Sequence, residues 1–170
     1  MNIALGPWLR VAVDVVFDCN THLRSIVSPY GPAAACFSLL GTEALNVFVS
    51  RDVLQEVENV LSRPVLRQKF PLLTEDSKNS HLQRLHQEAV FIHNVPETFR
   101  YSRDPDDEIY VNLALITNAR YLVTYDKDLL DLMTAETDAA HDFRHRFPHL
   151  EIVDPLAFLE ALGVAQERAS

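Results

Sequence analysis

Between Arg103 and Leu130 the chain carries Asp104, Asp106, Asp107, Glu108, Asp126 and Asp128, placed on either side of an apolar helix-then-strand run. Carboxylates brought together repel one another, and their pKa values rise unless a cation sits among them. A bound divalent metal is the economical explanation for such a group. A purely structural account competes for the first cluster: Asp104 as an N-cap, Pro105 as the first helical residue and Asp107 as a third-position acid all favour a helix start. That account does not extend to Asp126, which follows the strand-like Tyr121-Leu122-Val123. In a parallel sheet the carboxyl end of a strand is where ligands bind.

Convergent carboxylates without cysteine or clustered histidine select a hard cation, Mg²⁺ or Mn²⁺, held through oxygen and keeping several waters. A cation of this kind lowers the pKa of water, neutralises the oxygens of a phosphodiester and stabilises the leaving oxygen, so the natural reaction is metal-assisted phosphodiester hydrolysis. The sequence shows no Ser-His-Asp or Cys-His nucleophile, glycine-rich phosphate loop or dinucleotide fingerprint. A zinc site would need His141, His145 and His149 aligned near Asp138 and Asp142, and Pro148 breaks the helix that would align them. His81, His86 and His93 have no partner at metal-site spacing and read as surface or capping residues.

The elements that must position these acids follow from periodicity. Val11, Val13, Val15, Val16 and Phe17 form an apolar, β-branched run that reads as a central strand buried on both faces, with Asp18 at its carboxyl end. Asp14 reads as an exposed residue near the strand start. Ser28-Pro29-Tyr30-Gly31-Pro32 is turn chemistry, followed by a short helix from Ala33 to Leu40. Asn46 to Ser50 is a second strand. From Asp52 to Arg63 the residues Val53, Leu54, Val57, Val60 and Leu61 form the stripe of an amphipathic helix closed by Pro64. Glu56 falls on the shoulder of that stripe, where it could lean over the sheet's end or sit on a solvated rim.

Val65 to Glu88 is spaced for a pair of helices, Ala89 to Ile92 for a third strand, and Asn94 to Ser102 for a loop. The helix expected from Asp106 to Asn118 is apolar nearly all round and should be well buried. Leu129 to Met133 suggests a helical turn, and residues 134 to 148 a polar, His-rich loop. Glu151-Ile152-Val153 makes a last strand, and Asp154-Pro155 opens a closing helix to Leu162. This alternation predicts a three-layer α/β/α sandwich around a mainly parallel sheet of four or five strands, with Asp18, Asp126 and the helix start at Asp107 on one edge.

At 170 residues the chain suits one domain, read as 11–162, with an N-terminal extension over 1–10 carrying Trp8 and a tail over 163–170. With 48% hydrophobic and 23% charged residues, its composition is that of a soluble globular protein. No apolar run is long enough to span a bilayer and the start lacks a signal-peptide pattern, so a cytoplasmic location is expected. Cys19 and Cys36 are expected to be reduced and structural. The net charge of −9 argues against sequence-blind adhesion to a polyanion. It leaves room for a nucleic-acid substrate guided by Arg24, Arg51, Arg63, Arg67, Lys69, Arg100 and Arg103.

Four segments in order carry a family resemblance: V-V-F-D-C-N-T-H-L over 15–23, S-R-D-V-L-Q-E-V over 50–57, R-D-P-D-D-E-I-Y-V-N-L-A over 103–114 and Y-L-V-T-Y-D-K-D-L over 121–129. Together they resemble a PIN domain, nearest to the bacterial toxin components related to VapC-type toxins, across roughly residues 11–162. The resemblance implies a Mg²⁺- or Mn²⁺-dependent endoribonuclease leaving 5′-phosphate and 3′-hydroxyl ends. It maps the family's four acids onto Asp18, Glu56, Asp107 and Asp126, and the small polar residues that orient the site onto Asn20 and Thr124. Asp104, Glu108 and Asp128 are then outer contributors, with the choice among Asp104, Asp107 and Glu108 open. A homodimer and a cognate antitoxin protein are implied as partners. Cys19 departs from the usual threonine, and the 134–148 loop is longer than expected.

Two rival readings fit the same residues. One is a degenerate PIN module that binds RNA or a protein without cutting. The other is a phosphatase or receiver-like domain with an aspartyl phosphoacceptor; a haloacid-dehalogenase-type phosphatase would want an aspartate where Asn20 stands.

Overall fold

The computed structural model describes residues 11–163. Residues 1–10, Trp8 among them, and residues 164–170 of the expected tail lie outside the described residues. Strand β1 (Val13–Phe17) is the middle of a five-stranded sheet, because its Val15 and Val16 are both fully buried and so require cover on both faces. β2 (Leu45–Ser50) and β3 (Val90–Ile92) lie on one side of it, β4 (Tyr121–Val123) and β5 (Glu151–Val153) on the other. The order is β3-β2-β1-β4-β5, and every pairing is parallel. Helices flank the sheet in a three-layer α/β/α arrangement.

This order has one topological switch point, between β1 and β4, where the direction of winding reverses. Adjacent crossovers leave in opposite directions there, which opens a crevice beyond the carboxyl ends of the two strands. Phe17 of β1 pairs with Val123 of β4 at that end. Asp18 and Thr124 are therefore neighbours by construction.

Helix α1 (Cys19–Val27) leaves β1 directly, capped by Asp18, whose Oδ1 accepts from the Thr21 N–H at 2.8 Å. No apolar stripe in the sequence marks this helix, which carries the polar residues Asn20, Arg24 and Ser25. Tertiary packing of Leu23 and His22, 8% and 1% exposed, holds it instead. Helix α2 (Pro32–Ser38) follows the expected turn. Helix α3 (Arg51–Leu61) is capped by Ser50 and buries Val53, Leu54, Val57, Val60 and Leu61, the stripe its periodicity predicts. Pro64 starts α4 (Pro64–Lys69), and α5 (Glu75–Glu88) opens with a reciprocal Thr74–Ser77 capping box.

His81 corrects the surface assignment made for it: it is 4% exposed, and its Nε2 lies 3.0 Å from Nδ1 of His22. Its ring stacks on Phe37 at 4.1 Å between centroids. His86 and His93 are exposed, as expected.

After β3 the chain runs without regular structure to a 3₁₀ turn at Pro105–Asp107 and helix α6 (Glu108–Ile116). α6 is buried from Tyr110 to Ala114, though Ile116 is 49% exposed. Helix α7 (Lys127–Thr134) follows β4. The segment read as a His-rich loop contains helix α8 (Asp138–Arg146), capped by Thr137. Its apolar residues are few, but Ala140 and Phe143 are almost fully buried and Phe143 packs edge-on to Phe99. Glu136 bonds His141, and nothing gathers the three histidines of this region into a metal cluster among the described residues. Helix α9 (Pro155–Ala161) closes the fold, with Asp154 as its cap and Pro155 in the first turn. No described helix is long and apolar enough to cross a membrane.

Candidate metal centre

Asp18, Asp107 and Asp126 each stand at the N-cap of a helix, α1, α6 and α7 in turn. The position favours negative charge, because unpaired N–H groups and the helix dipole point at the side chain. Two of the three spend that capacity locally. Asp18 caps through Thr21, and Asp126 Oδ1 accepts from the Asp128 N–H at 2.7 Å. Asp107 makes no cap bond at all.

Asp104, Asp107 and Asp126 come together: one carboxylate oxygen from each lies within 4.8 Å of the other two. Asp104 Oδ1 accepts from the Asp106 N–H at 3.1 Å, so it too is anchored through one oxygen. Asp107 is 8% exposed and its Oδ2 is buried without any hydrogen-bond partner. Its carboxyl is pushed up to about 8, first by burial and then by the charges of Asp126, Asp104, Asp18 and Asp128. An ionised oxygen left without a donor is costly in a protein interior. Three acids converging in this way, one of them with a partnerless oxygen, make a donor set that fits a hard divalent cation.

Asp18 is outside this triad and 1% exposed, yet its charge helps to raise the Asp107 carboxyl. Thr124, fully buried, links it to Asp126: the Thr124 hydroxyl donates to Asp18 Oδ2 at 2.6 Å and accepts from the Asp126 N–H at 2.8 Å. The Thr21 hydroxyl lies 2.7 Å from Asp18 Oδ1 and 3.0 Å from the Val123 carbonyl. Burial raises the Asp18 carboxyl against the pull of the bonds from Thr124 and Thr21. Thr21 was not singled out from sequence. Its signal is the third-position spacing after Asp18, which counts only once α1 is known to be a helix.

Glu56 lies on α3 with its Oε1 3.6 Å from the Arg63 guanidinium and outside the triad. Its charge is nevertheless felt at Cys19. The Cys19 thiol is pushed up to about 12, by burial and then by Asp18, with Glu56 and Asp107 adding to it and the Tyr110 hydroxyl pulling the other way. Cys19 is thus a neutral thiol at ordinary pH, set among the acids. Cys36 is also a free, buried thiol.

Three other expected contributors are placed elsewhere. Asn20 is exposed and makes no side-chain hydrogen bond among the described residues. Asp128 is ion-paired with Arg103. Glu108 Oε1 accepts from the Tyr101 N–H at 2.5 Å, which ties it to the preceding loop.

That loop carries Asp104 and is held from both sides. Asn112 of α6, 5% exposed, accepts from the N–H groups of Thr98 and Phe99 at 3.0 and 2.7 Å and donates to the Phe99 carbonyl at 3.1 Å. The Tyr101 hydroxyl donates to the Asp128 carbonyl at 2.8 Å, and Arg103 reaches Asp131 at 3.1 Å. The guiding cations expected from sequence divide in the same way. Arg63, Arg67, Arg100 and Arg103 are ion-paired, whereas Arg24, Arg51 and Lys69 make no ion pair among the described residues.

The sequence profile of the PIN domain matches residues 14–128, which takes in Asp18, Glu56, Asp104, Asp107 and Asp126. Among solved structures, the chain is similar to the PAE2754 protein of Pyrobaculum aerophilum at 16% identity, covering 97% of this chain and 100% of that one with a TM-score of 0.51. It is also similar to VapBC2 of Rickettsia felis, solved bound to a DNA fragment from its promoter, at 16% identity over 84% of this chain and 98% of that one with a TM-score of 0.49. No curated protein matches the sequence.

Proposed function

The chain belongs to the PIN domain family, and on that premise we propose that it is a metal-dependent endoribonuclease, acting as the toxin component of a toxin–antitoxin pair. What supports the reading is the convergence of Asp104, Asp107 and Asp126 within 4.8 Å, with the buried Asp107 Oδ2 lacking any partner. In this proposal Asp107, Asp126 and Asp104 hold Mg²⁺ or Mn²⁺, Asp18 supports them, and Glu56 completes the set after leaving Arg63. Asp104 thereby moves from an outer role to a direct one.

A divalent cation bound there would supply the charge that lets the acids ionise together and would polarise a water and the phosphodiester for in-line displacement. The chain's own residues set the geometry. Thr124 bonds both Asp18 Oδ2 and the Asp126 backbone N–H, which ties together the two N-cap acids that follow β1 and β4. Asp126 and Asp104 each keep one oxygen fixed by a backbone N–H, which leaves the other to face the site. Asn112 fixes the approach of the loop carrying Asp104. Positioning of this kind confines water and phosphate to a near-attack arrangement.

The test is cleavage of varied single-stranded RNAs by the purified protein with Mg²⁺ or Mn²⁺ and with EDTA. Cleavage that requires metal, falls at least 100-fold in Asp107→Asn and Asp126→Asn, and leaves 5′-phosphate ends supports the proposal. Metal-dependent stabilisation without cleavage of any RNA would replace it with a binding module. Homodimer formation and an antitoxin partner belong to the same proposal; a small protein encoded beside this one should co-purify with it and suppress the cleavage.

A further inference from the structure

Tyr125 sits in the chain between Thr124, which bonds Asp18, and Asp126 of the acid triad. Tyr125 is 39% exposed. The guanidinium carbon of Arg24 lies over its ring, 5.6 Å from the centroid, within cation–π range. Arg24 is itself exposed and lies six residues beyond Asp18 on α1, about 9 Å along the helix axis at 1.5 Å per residue.

Two unpaired cations flank the acid-bearing segment after β4. Among the described residues Arg24, Arg51, Lys69, Lys127 and Arg144 make no ion pair, and of these Arg24 lies over Tyr125 while Lys127, an exposed residue, directly follows Asp126. In a chain of net charge −9 there is no shortage of carboxylates to pair them. A partly exposed aromatic ring with an unpaired guanidinium over it, adjacent in sequence to Asp126, combines the two features that single-stranded nucleic-acid grooves use: a stacking face and a phosphate contact. Neither depends on base identity.

We propose that Tyr125 and Arg24 form a nucleotide platform, with the tyrosine ring stacking a base and the arginine meeting the adjoining phosphate of the RNA strand beside the acid triad. The inference rests on the ribonuclease reading and adds to it a place where the strand is held. Tyr125 and Arg24 are positioning residues in this account, since they touch substrate away from the reacting phosphorus.

The experiment measures binding of a labelled single-stranded RNA of ten nucleotides by fluorescence anisotropy with Ca²⁺ in place of Mg²⁺, and cleavage of the same RNA with Mg²⁺. Tyr125→Ala is expected to weaken binding about five- to tenfold. The loss should appear in KM with kcat nearly unchanged, while Tyr125→Phe, which keeps the ring, behaves as wild type. Arg24→Gln should weaken binding and lower the slope of log affinity against log salt by about 0.7, the value for one phosphate contact on a single strand. Unchanged binding in a folded Tyr125→Ala protein, or an unchanged salt slope in Arg24→Gln, would overturn the platform. If the wild type binds RNA through Tyr125 but cuts none of it with Mg²⁺, the platform stands and the ribonuclease reading fails. If it neither binds nor cuts, both fall.

Discussion

Asp107 is 8% exposed, its Oδ2 has no donor, and its carboxyl is pushed up to about 8 by burial and by the neighbouring acids. Its charge therefore weakens the metal-free fold. Because the folded value lies above the ordinary one of 3.8, this group's stabilising contribution is complete below about pH 4 and is lost as pH rises toward 8. Asp107→Asn removes the decline. In EDTA at pH 8 its melting temperature should exceed that of wild type by several degrees, reflecting a few kcal/mol of relieved strain, while the stabilisation that Mg²⁺ gives wild type should vanish. A variant that melts lower than wild type in EDTA at pH 8 would show that Asp107 is already satisfied without metal. Thr124→Val is the contrasting case. It keeps shape but leaves Asp18 Oδ2 and the Asp126 N–H without their partner, so roughly 1–3 kcal/mol of stability should be lost with metal or without it, as denaturant unfolding would register. The sequence disclosed the acids because carboxylates at strand ends and helix starts are few and chemically conspicuous. It did not rank Asp104 above Glu108 and Asp128, because that order is set by which neighbour claims each carboxylate, Tyr101 for Glu108 and Arg103 for Asp128, across loops that periodicity does not reach.

At the scale of elements, the strands and α3 were legible because burial on one or both faces writes a repeat into the chain, and Val15, Val16, Val53, Val57 and Leu61 are fully buried where that repeat put them. Helices α1 and α8 were not, because each is held by a few large side chains rather than by a stripe. In α1 the key residue is His22, 1% exposed, packed edge-on against Phe17 and Phe37 and 3.0 Å from His81 of α5. Burial lowers His22 to about 4, and burial with the charges of His22 and Arg84 holds His81 well below its ordinary 6.5. Both are buried neutral and must take up protons on unfolding. Their contribution is therefore complete above pH 6.5 and is lost as pH falls through the window from 6.5 toward 4. The expected outcome is a denaturation midpoint that drops steeply over that window, and a His22→Phe, His81→Leu double variant whose midpoint varies less with pH. Equal slopes in the two proteins would mean that the pair is already charged in the fold. The separation of α1 from α5 is the first event expected on acidification, so loss of His81 ring packing should precede loss of the sheet in NMR spectra taken from pH 7 to pH 4.

For the whole molecule, the sheet order β3-β2-β1-β4-β5 is what brings Asp18 and Asp126 together from positions more than a hundred residues apart, since the two strands that carry them meet at the switch point. The same global view governs how such an acidic chain meets RNA. With a net charge of −9 it cannot rely on a broad basic face, and most of its described cations are already committed to carboxylates. Arg24, Arg51, Lys69 and Lys127 make no ion pair among the described residues, and Arg144 is taken up by the carbonyls of Leu132 and Ala135. Each phosphate neutralised on a single strand adds about 0.7 to the salt slope, so these four unpaired cations among the described residues would contribute about −3. Affinity for single-stranded RNA should accordingly fall only modestly between low and physiological salt, with metal and stacking carrying the remainder. Anisotropy titrations across a salt series measure the slope directly. Among the described residues, a slope much steeper than −3 would call on ion-paired arginines such as Arg63 or Arg103 to exchange carboxylate for phosphate. Arg63→Gln would then flatten the slope and Glu56→Gln, which frees Arg63, would leave it steep, a pattern that distinguishes a substrate-driven release of Glu56 toward the acid site from a binding face fixed in advance.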